Sequence, residues 1–239
     1  MTLERVDVEH CADQLQVVLH RARYDFVLQR LKPGQSVLEI GTGPGTFSRE
    51  LAPRCGSYLG VEYDQETLLA ARERTGGKAE IIQADARCLP FEENRFSFVV
   101  CLEVLEHLGD FEAGVKSLRH CLRPEGIAII SVPYRRIGGK SLTNEHHPYE
   151  PGEAELVASF QRLFSNVEVY YQFFYEPSWL SLARTFHLRR VLGLVQCYAD
   201  LTAGLPSATS RLKISRQSHG WNLNLLLVAT GKKPIASSR

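Results

Sequence analysis

The chain is expected to fold as a doubly wound α/β domain, because short β-rich runs alternate with helical patterns from residue 36 onward. A glycine-rich turn follows the first run, and acidic residues stand at the ends of the next two. Its 239 residues suit one large domain and are too few for two ordinary domains with linkers. Hydrophobic residues make up 44% and charged residues 23%, a globular balance that excludes disordered and fibrous classes. A net charge of +1 gives no overall attraction to nucleic acid or an anionic surface, so any basic patch is local.

Taken in order, the first element is a helix from Cys11 to Leu31. Leu15, Val18, Leu19, Ala22, Phe26 and Leu31 recur at helical spacing, and Pro33-Gly34 stops the run. Strands are expected near Ser36 to Ile40, Tyr58 to Glu62, Ala79 to Gln83, Phe96 to Leu102 and Ile127 to Val132. Asp64 can cap the helix through Leu68, Leu69 and Arg72; Asp110 can cap the one through Val115, Leu118 and Leu122, which should end at Pro124-Glu125-Gly126. A polar loop to Glu150, a helix from Pro151 to Phe164 and two late strands, Val167 to Gln172 and Leu223 to Thr230, complete the pattern. The expectation is a mostly parallel seven-stranded sheet with an antiparallel late strand at its edge and a helical substrate cap. The single domain divides into a helical segment (1–34), a ligand-binding half (35–134), a loop, helix and strand (135–176), an apolar-basic insert (177–221) and the last strand (222–231).

The six cysteines, Cys11, Cys55, Cys88, Cys101, Cys121 and Cys197, include no C-x-x-C pair, which suits a reducing compartment. No apolar leader opens the sequence and no run is long enough to span a bilayer, so a soluble cytoplasmic protein is expected.

The first strand runs into Glu39-Ile40-Gly41-Thr42-Gly43-Pro44-Gly45-Thr46, where glycines let the backbone pass close under a ligand at the switch point of the sheet. A nicotinamide fingerprint would place its third glycine where Thr46 stands. Glu62, closing the second strand, can accept hydrogen bonds from both ribose hydroxyls of an adenosine. Asp85, after the third, can accept a hydrogen bond from an adenine amino group while the Ala86 N–H meets a ring nitrogen. These segments, with Leu89-Pro90-Phe91 and Phe96 to Val100, resemble the successive motifs of class I S-adenosylmethionine methyltransferases across Val37 to Val132. The resemblance implies a Rossmann-like fold, S-adenosyl-L-methionine as cofactor, and Glu39, Gly41, Thr42, Gly43, Gly45, Glu62, Asp85, Ala86 and Cys101 as its binding residues. The family usually has Asp where Glu62 stands.

After the fourth strand comes Cys101-Leu102-Glu103-Val104-Leu105-Glu106-His107. A helical turn starting at Glu103 would set Glu103, Glu106 and His107 at i, i+3 and i+4 on one side. Asn144-Glu145-His146-His147-Pro148-Tyr149-Glu150 adds histidines on the loop after the fifth strand, at the same sheet edge. Two carboxylates with imidazoles make a divalent-metal set able to bind an acceptor hydroxyl and lower its pKa. The segment resembles those of ubiquinone-pathway O-methyltransferases and small-RNA 3′-terminal 2′-O-methyltransferases, where it is associated with a metal; by that resemblance His147 matches the later histidine better than His146. Related methyltransferases carry the same stretch without a metal, ordering the active-site wall. In that case His107 or His147 is a candidate general base, with Glu103 beside it.

Between Pro177 and His219 lie Arg184, Arg189, Arg190, Arg211, Lys213 and Arg216 against one acid, Asp200, among large apolar residues such as Trp179, Phe186 and Leu192. Three readings stand open: a helix packed on the sheet, a lid over an apolar or anionic small molecule with peripheral membrane contact, and a groove for RNA phosphates. The function expected is direct in-line methyl transfer, most simply to a hydroxyl of a small molecule. The alternatives are an RNA ribose hydroxyl and a catalytically silent partner subunit that keeps the cofactor.

Overall fold

A computed structural model describes residues 14–141, 144, 146–175, 212–217 and 220–234. Eight strands, β1 (Ser36–Ile40), β2 (Ser57–Glu62), β3 (Glu80–Gln83), β4 (Phe96–Leu102), β5 (Leu122–Pro133), β6 (Phe164–Tyr175), β7 (Leu212–Ser215) and β8 (Gly220–Lys232), form one sheet in the order β3-β2-β1-β4-β5-β8-β6-β7. β1 to β5 pair in parallel. β8 runs antiparallel to β5 and β6, between them, and β7 runs antiparallel to β6.

Parallel central strands are buried on both faces, and β4 reads accordingly as a continuous apolar run, Phe98-Val99-Val100-Cys101. Successive side chains point to opposite faces. Leu38, Val99 and Ile130 pack with Leu118 of α4 (Phe111–Cys121) and Phe160 of α5 (Glu153–Leu163), whereas Val37, Phe98 and Ile129 pack with Tyr24, Phe26 and Val27 of α1 (Gln14–Leu28). Because β1 to β5 run parallel, their carboxyl ends share one edge, where a ligand site belongs.

The expected caps form. Asp64 Oδ1 accepts from Thr67 N at 2.9 Å to start α3 (Gln65–Thr75), and Asp110 Oδ1 accepts from Ala113 N at 3.0 Å to start α4. Asp64→Ala should therefore cost about 1 kcal/mol in urea unfolding; an unchanged midpoint would show that the helix does not depend on this cap.

Several boundaries differ from the sequence reading. The sheet has eight strands, not seven, and the extra one, β7, lies inside the stretch expected to be a helical cap. β8 is internal, and β7 takes the edge. α1 ends at Leu28, α4 ends at Cys121, and β5 begins at once with Leu122, which pairs with Phe96 and is fully buried, so core packing outweighs the turn signal of Pro124-Glu125-Gly126. The rest of the apolar-basic insert, from residue 176 to 211, lies outside the described residues. Among the described residues no helix is long and apolar enough to cross a membrane.

Candidate functional site

The glycine turn is gripped from several sides. Gly41 N and Thr42 N both donate to Val61 O, at 2.9 and 3.1 Å. Gly41 has φ +75°, and a Cβ there would lie 2.4 Å from Val104 Cγ2. Gly45 has φ +77° and would bring a Cβ within 2.9 Å of Ala71 Cα, so the turn lies directly against α3. From that helix Arg74 Nη1 donates to Pro44 O at 3.0 Å. Glu62 closes the turn from β2: its Oε2 accepts from Gly43 N at 3.0 Å and its Oε1 from Tyr63 N and Asp64 N at 3.0 and 3.1 Å. The carboxylate is thus fixed at the strand end by backbone donors before any ligand arrives.

Beside it lies a cleft of about 490 Å³ lined by Tyr63, Asp64, Gln65, Gln83, Ala84 and Asp85. Asp85 is held by its neighbour Arg87, Nη2 to Oδ2 at 2.6 Å, and hydrogen bonds from Arg87 keep the carboxyl below the usual carboxylate range. Any adenine amino group would share Asp85 with this guanidinium. Ala86, expected to act through its N–H, has its side chain in the core.

Two of the expected binding residues take other roles. Both carboxylate oxygens of the buried Glu39 are taken up by protein hydroxyls, Oε1 by Tyr24 at 2.5 Å and Oε2 by Ser48 at 2.7 Å and by Tyr58. Burial raises its pKa and the three hydroxyls oppose the rise, so Glu39 braces the turn from beneath. The Cys101 thiol is fully buried in the core cluster, with its pKa raised by burial, which leaves only its backbone for a ligand.

Beyond β4 the expected helical face does not form. Glu103 has φ +54°, in the left-handed region, and the one-turn 3₁₀ helix spans Leu105–His107. That backbone turn sends the Glu103 side chain away from its sequence neighbours, to Ser131 Oγ at 2.6 Å and Asn224 Nδ2 at 2.7 Å. Glu106, His107 and His147 do converge: one ligand atom from each lies within 4.8 Å of the others, and the two imidazoles meet edge to face with centroids 4.7 Å apart. Glu106 is 1% exposed, and neither carboxylate oxygen has a hydrogen-bond partner among the described residues. Burial, reinforced by the Glu103 charge, pushes its pKa well above the usual carboxylate value. His146 is not part of the group, although its carbonyl lies 3.2 Å from His107 Nδ1.

His147 is held on both sides. Asn144 Oδ1 accepts from His146 N at 3.0 Å, which leaves its Nδ2 to donate to His147 Nε2 at 3.1 Å. This assigns the proton to Nδ1, which donates to Glu150 Oε1 at 2.6 Å. Glu150 also pairs with Arg135. Burial alone would raise Glu150, but hydrogen bonds from His147 and Ser141 and the Arg135 charge outweigh it and lower its pKa. Such a carboxylate behind an imidazole fixes its tautomer and ring angle, as behind metal-bound histidines.

Sequence reasoning missed Arg23, Tyr24, Ser48, Tyr58, Ser131, Asn144, Glu150 and Asn224 as parts of this edge. One of them left a signal. Leu19, Arg23 and Val27 follow at i, i+4 and i+8, which puts a charged residue in the buried stripe of α1.

Residues 38–130 match a family model described as a methyltransferase domain. A protein of Mycolicibacterium smegmatis described as a probable S-adenosylmethionine-dependent methyltransferase is 30% identical over 152 residues, 61% of this chain and 59% of that one. The chain thus spans a little over half of that relative's length. A ubiquinone/menaquinone biosynthesis C-methyltransferase of Ectopseudomonas mendocina is 26% identical over 57% of this chain and 64% of its own. Among solved structures, a Haloferax volcanii methyltransferase in complex with the Trm112 methyltransferase activator superposes with a TM-score of 0.61 at 16% identity, over 94% of this chain and 95% of that one, which shows the fold. The stretch similar to a methyltransferase domain is therefore the one that carries the glycine turn, Glu62, Asp85 and the Glu106–His107 segment.

Proposed function

From a methyltransferase domain over residues 38–130, we propose that this protein transfers a methyl group from S-adenosylmethionine to a hydroxyl of a small molecule, with a divalent ion at Glu106, His107 and His147. The observation that carries the reading is Glu106: a buried carboxylate without a hydrogen-bond partner costs stability unless something satisfies it, and two imidazoles stand beside it. A mixed carboxylate and imidazole set suits manganese, zinc, cobalt or iron better than magnesium.

In this reading the cofactor supplies an electrophilic methyl on its sulfonium, and a bound ion would lower the pKa of the acceptor hydroxyl. The chain's own residues do the rest. Glu62 receives the ribose hydroxyls, and the turn from Gly41 to Gly45 gives the amino-acid end room to lie against the backbone. Asp85 and the Ala86 N–H read the adenine. Glu150 keeps His147 in one tautomer and orientation, and His147 Nε2 holds the ion, or without one takes the acceptor's proton, once the Asn144 amide that donates to it swings aside; His107 is the other base. The domain contributes chiefly by orienting the reactants and excluding water.

A second reading, transfer to a carbon, is favoured by the description of the Ectopseudomonas relative as a C-methyltransferase. The test is incubation with methyl-labelled S-adenosylmethionine and three acceptor sets: phenols and catechols, quinols, and RNA with a free 3′-terminal ribose. Labelled methyl ethers of the phenols are expected, lost with chelator and restored by Mn²⁺. Label on carbon or on RNA would replace the acceptor class. Full turnover after chelation would remove the ion and leave the histidines as bases.

A further inference from the structure

Behind Glu103 runs a buried relay that joins three distant parts of the chain. Glu103 N donates to Ser131 O at 2.9 Å, and its side chain accepts from Ser131 Oγ at 2.6 Å and Asn224 Nδ2 at 2.7 Å. Asn224 cannot turn its amide round, because its Oδ1 accepts from Arg23 Nη1 at 2.9 Å and a guanidinium offers only donors. Arg23, 201 positions away in sequence, is placed in turn by Gln172 Oε1 at 2.8 Å, and Gln172 is fixed by donating its Nε2 to Leu19 O at 3.0 Å. Two donors therefore stand in line, Arg23 to Asn224 and Asn224 to Glu103, from α1 through β8 to the end of β4, while Gln172 on β6 turns back to α1 and holds Arg23 in place.

This arrangement is expensive for a role in packing alone. Arg23 is 1% exposed, its hydrogen-bond acceptors are two neutral amides, and its Nε has no partner among the described residues. Buried charge is commonly replaceable by apolar side chains without loss of stability. Glu103 adds a left-handed backbone at a residue with a full side chain, a feature that clusters at functional sites. Of Arg23, Gln172, Asn224, Ser131 and Glu103, only Glu103 is not buried. The relay thus opens at one carboxylate, beside the Glu106, His107 and His147 group and at the same sheet edge as the glycine turn.

We propose that Asn224 and Arg23 are positioning residues that aim the Glu103 carboxylate at the methyl acceptor, where its remaining lone pairs accept a hydrogen bond from the acceptor's hydroxyl. This inference rests on the methyl-transfer reading above. It assigns Glu103 to acceptor orientation and not to the ion, and it gives the antiparallel β8 a part in substrate selection. An acceptor with a hydroxyl donor at that point is retained, and its methyl ether is refused.

The discriminating variant is Asn224→Asp. It keeps the size of the side chain and gives Arg23 a carboxylate partner, but it sets a second acceptor against Glu103 in place of the amide donor. The partner experiment is the double variant Asn224→Asp with Glu103→Gln, which exchanges amide and carboxylate and lets the hydrogen bond re-form with donor and acceptor reversed. Three quantities are measured for each: thermal midpoint, S-adenosylhomocysteine affinity by calorimetry, and kcat and KM on the phenol acceptor that the wild type methylates. Asn224→Asp should hold its midpoint and bind S-adenosylhomocysteine within about 3-fold, while kcat/KM for the acceptor falls about 100-fold, the usual loss when a reacting group is displaced by about 1 Å. The double variant should hold its midpoint as well and still not recover turnover. Turnover unchanged in Asn224→Asp, or restored in the double variant, would overturn the inference and leave the relay as packing. A wild type that binds S-adenosylhomocysteine yet methylates no hydroxyl overturns the acceptor reading and this inference with it. One that binds no S-adenosylhomocysteine overturns the cofactor reading itself.

Discussion

Gly41→Val should abolish useful cofactor binding, with S-adenosylhomocysteine affinity falling by about 100-fold or more. Two costs add at this position. A branched side chain is forced to φ +75°, and its Cβ would stand 2.4 Å from Val104 Cγ2, so either the turn or the exit of β4 must move. Gly34→Ala is the control, since Gly34 has φ +81° and a Cβ added there would meet nothing within 4 Å. The control bears the backbone strain alone and should lose about 1 kcal/mol of stability with unchanged binding. Calorimetry on both separates a specific requirement of the turn from general damage. A folded Gly41→Val variant that binds within about 3-fold of the parent would show that the cofactor does not lie on this turn.

Glu106→Gln should have opposite effects on stability and on ion binding. Burial and the Glu103 charge raise the folded-state pKa of Glu106 above its ordinary 4.5, so the fold favours the protonated form. The corresponding stability is fully present below the unfolded pKa and is lost as pH rises through the folded one. At neutral pH, removing the acid should therefore raise stability by about 1–2 kcal/mol, or roughly 2–8 °C in midpoint for a domain of this size. The parent should also lose more stability than the variant between mildly acidic and alkaline pH. Affinity for Mn²⁺ should fall by at least about 100-fold, more than outer-sphere partners of metal ligands usually command. Equal pH slopes for the two proteins, or unchanged Mn²⁺ binding, would remove Glu106 from the ion site.

Much of this architecture was legible in the sequence because it is written in local rules. The strands β1 to β4 follow β-rich runs closed by glycine or an acid, and Asp64 and Asp110 sit where caps must sit. The glycine turn was legible for the same reason, since positive φ demands that residue type. Features set by distant parts of the chain were not. β7 has four residues, Leu212-Lys213-Ile214-Ser215, whose alternation is hidden within a longer basic and apolar stretch. The i, i+3, i+4 argument at Glu103 assumed a helical backbone, and the left-handed turn that replaced it is stabilised by Ser131 and Asn224, which no local spacing connects to Glu103. Glu39 shows the same limit: its place near the end of β1 suggested a ligand, but the hydroxyls that take it up come from α1, β2 and α2 (Ser48–Leu51).

The position of β8 bears on how the protein is made. A chain leaving the ribosome delivers β1 to β5 in the order in which most of them pair, so the half that carries the glycine turn can assemble during synthesis. β6 then emerges with no neighbour, because the strand that must lie between it and β5 is still to come. Until residues 220–232 appear, two long edges stand open to other chains, which is the exposure that invites aggregation. Insertion of that last strand closes both edges and delivers Asn224 to Glu103 in the same event, so the part that carries the buried relay is completed only after the part that carries the glycine turn.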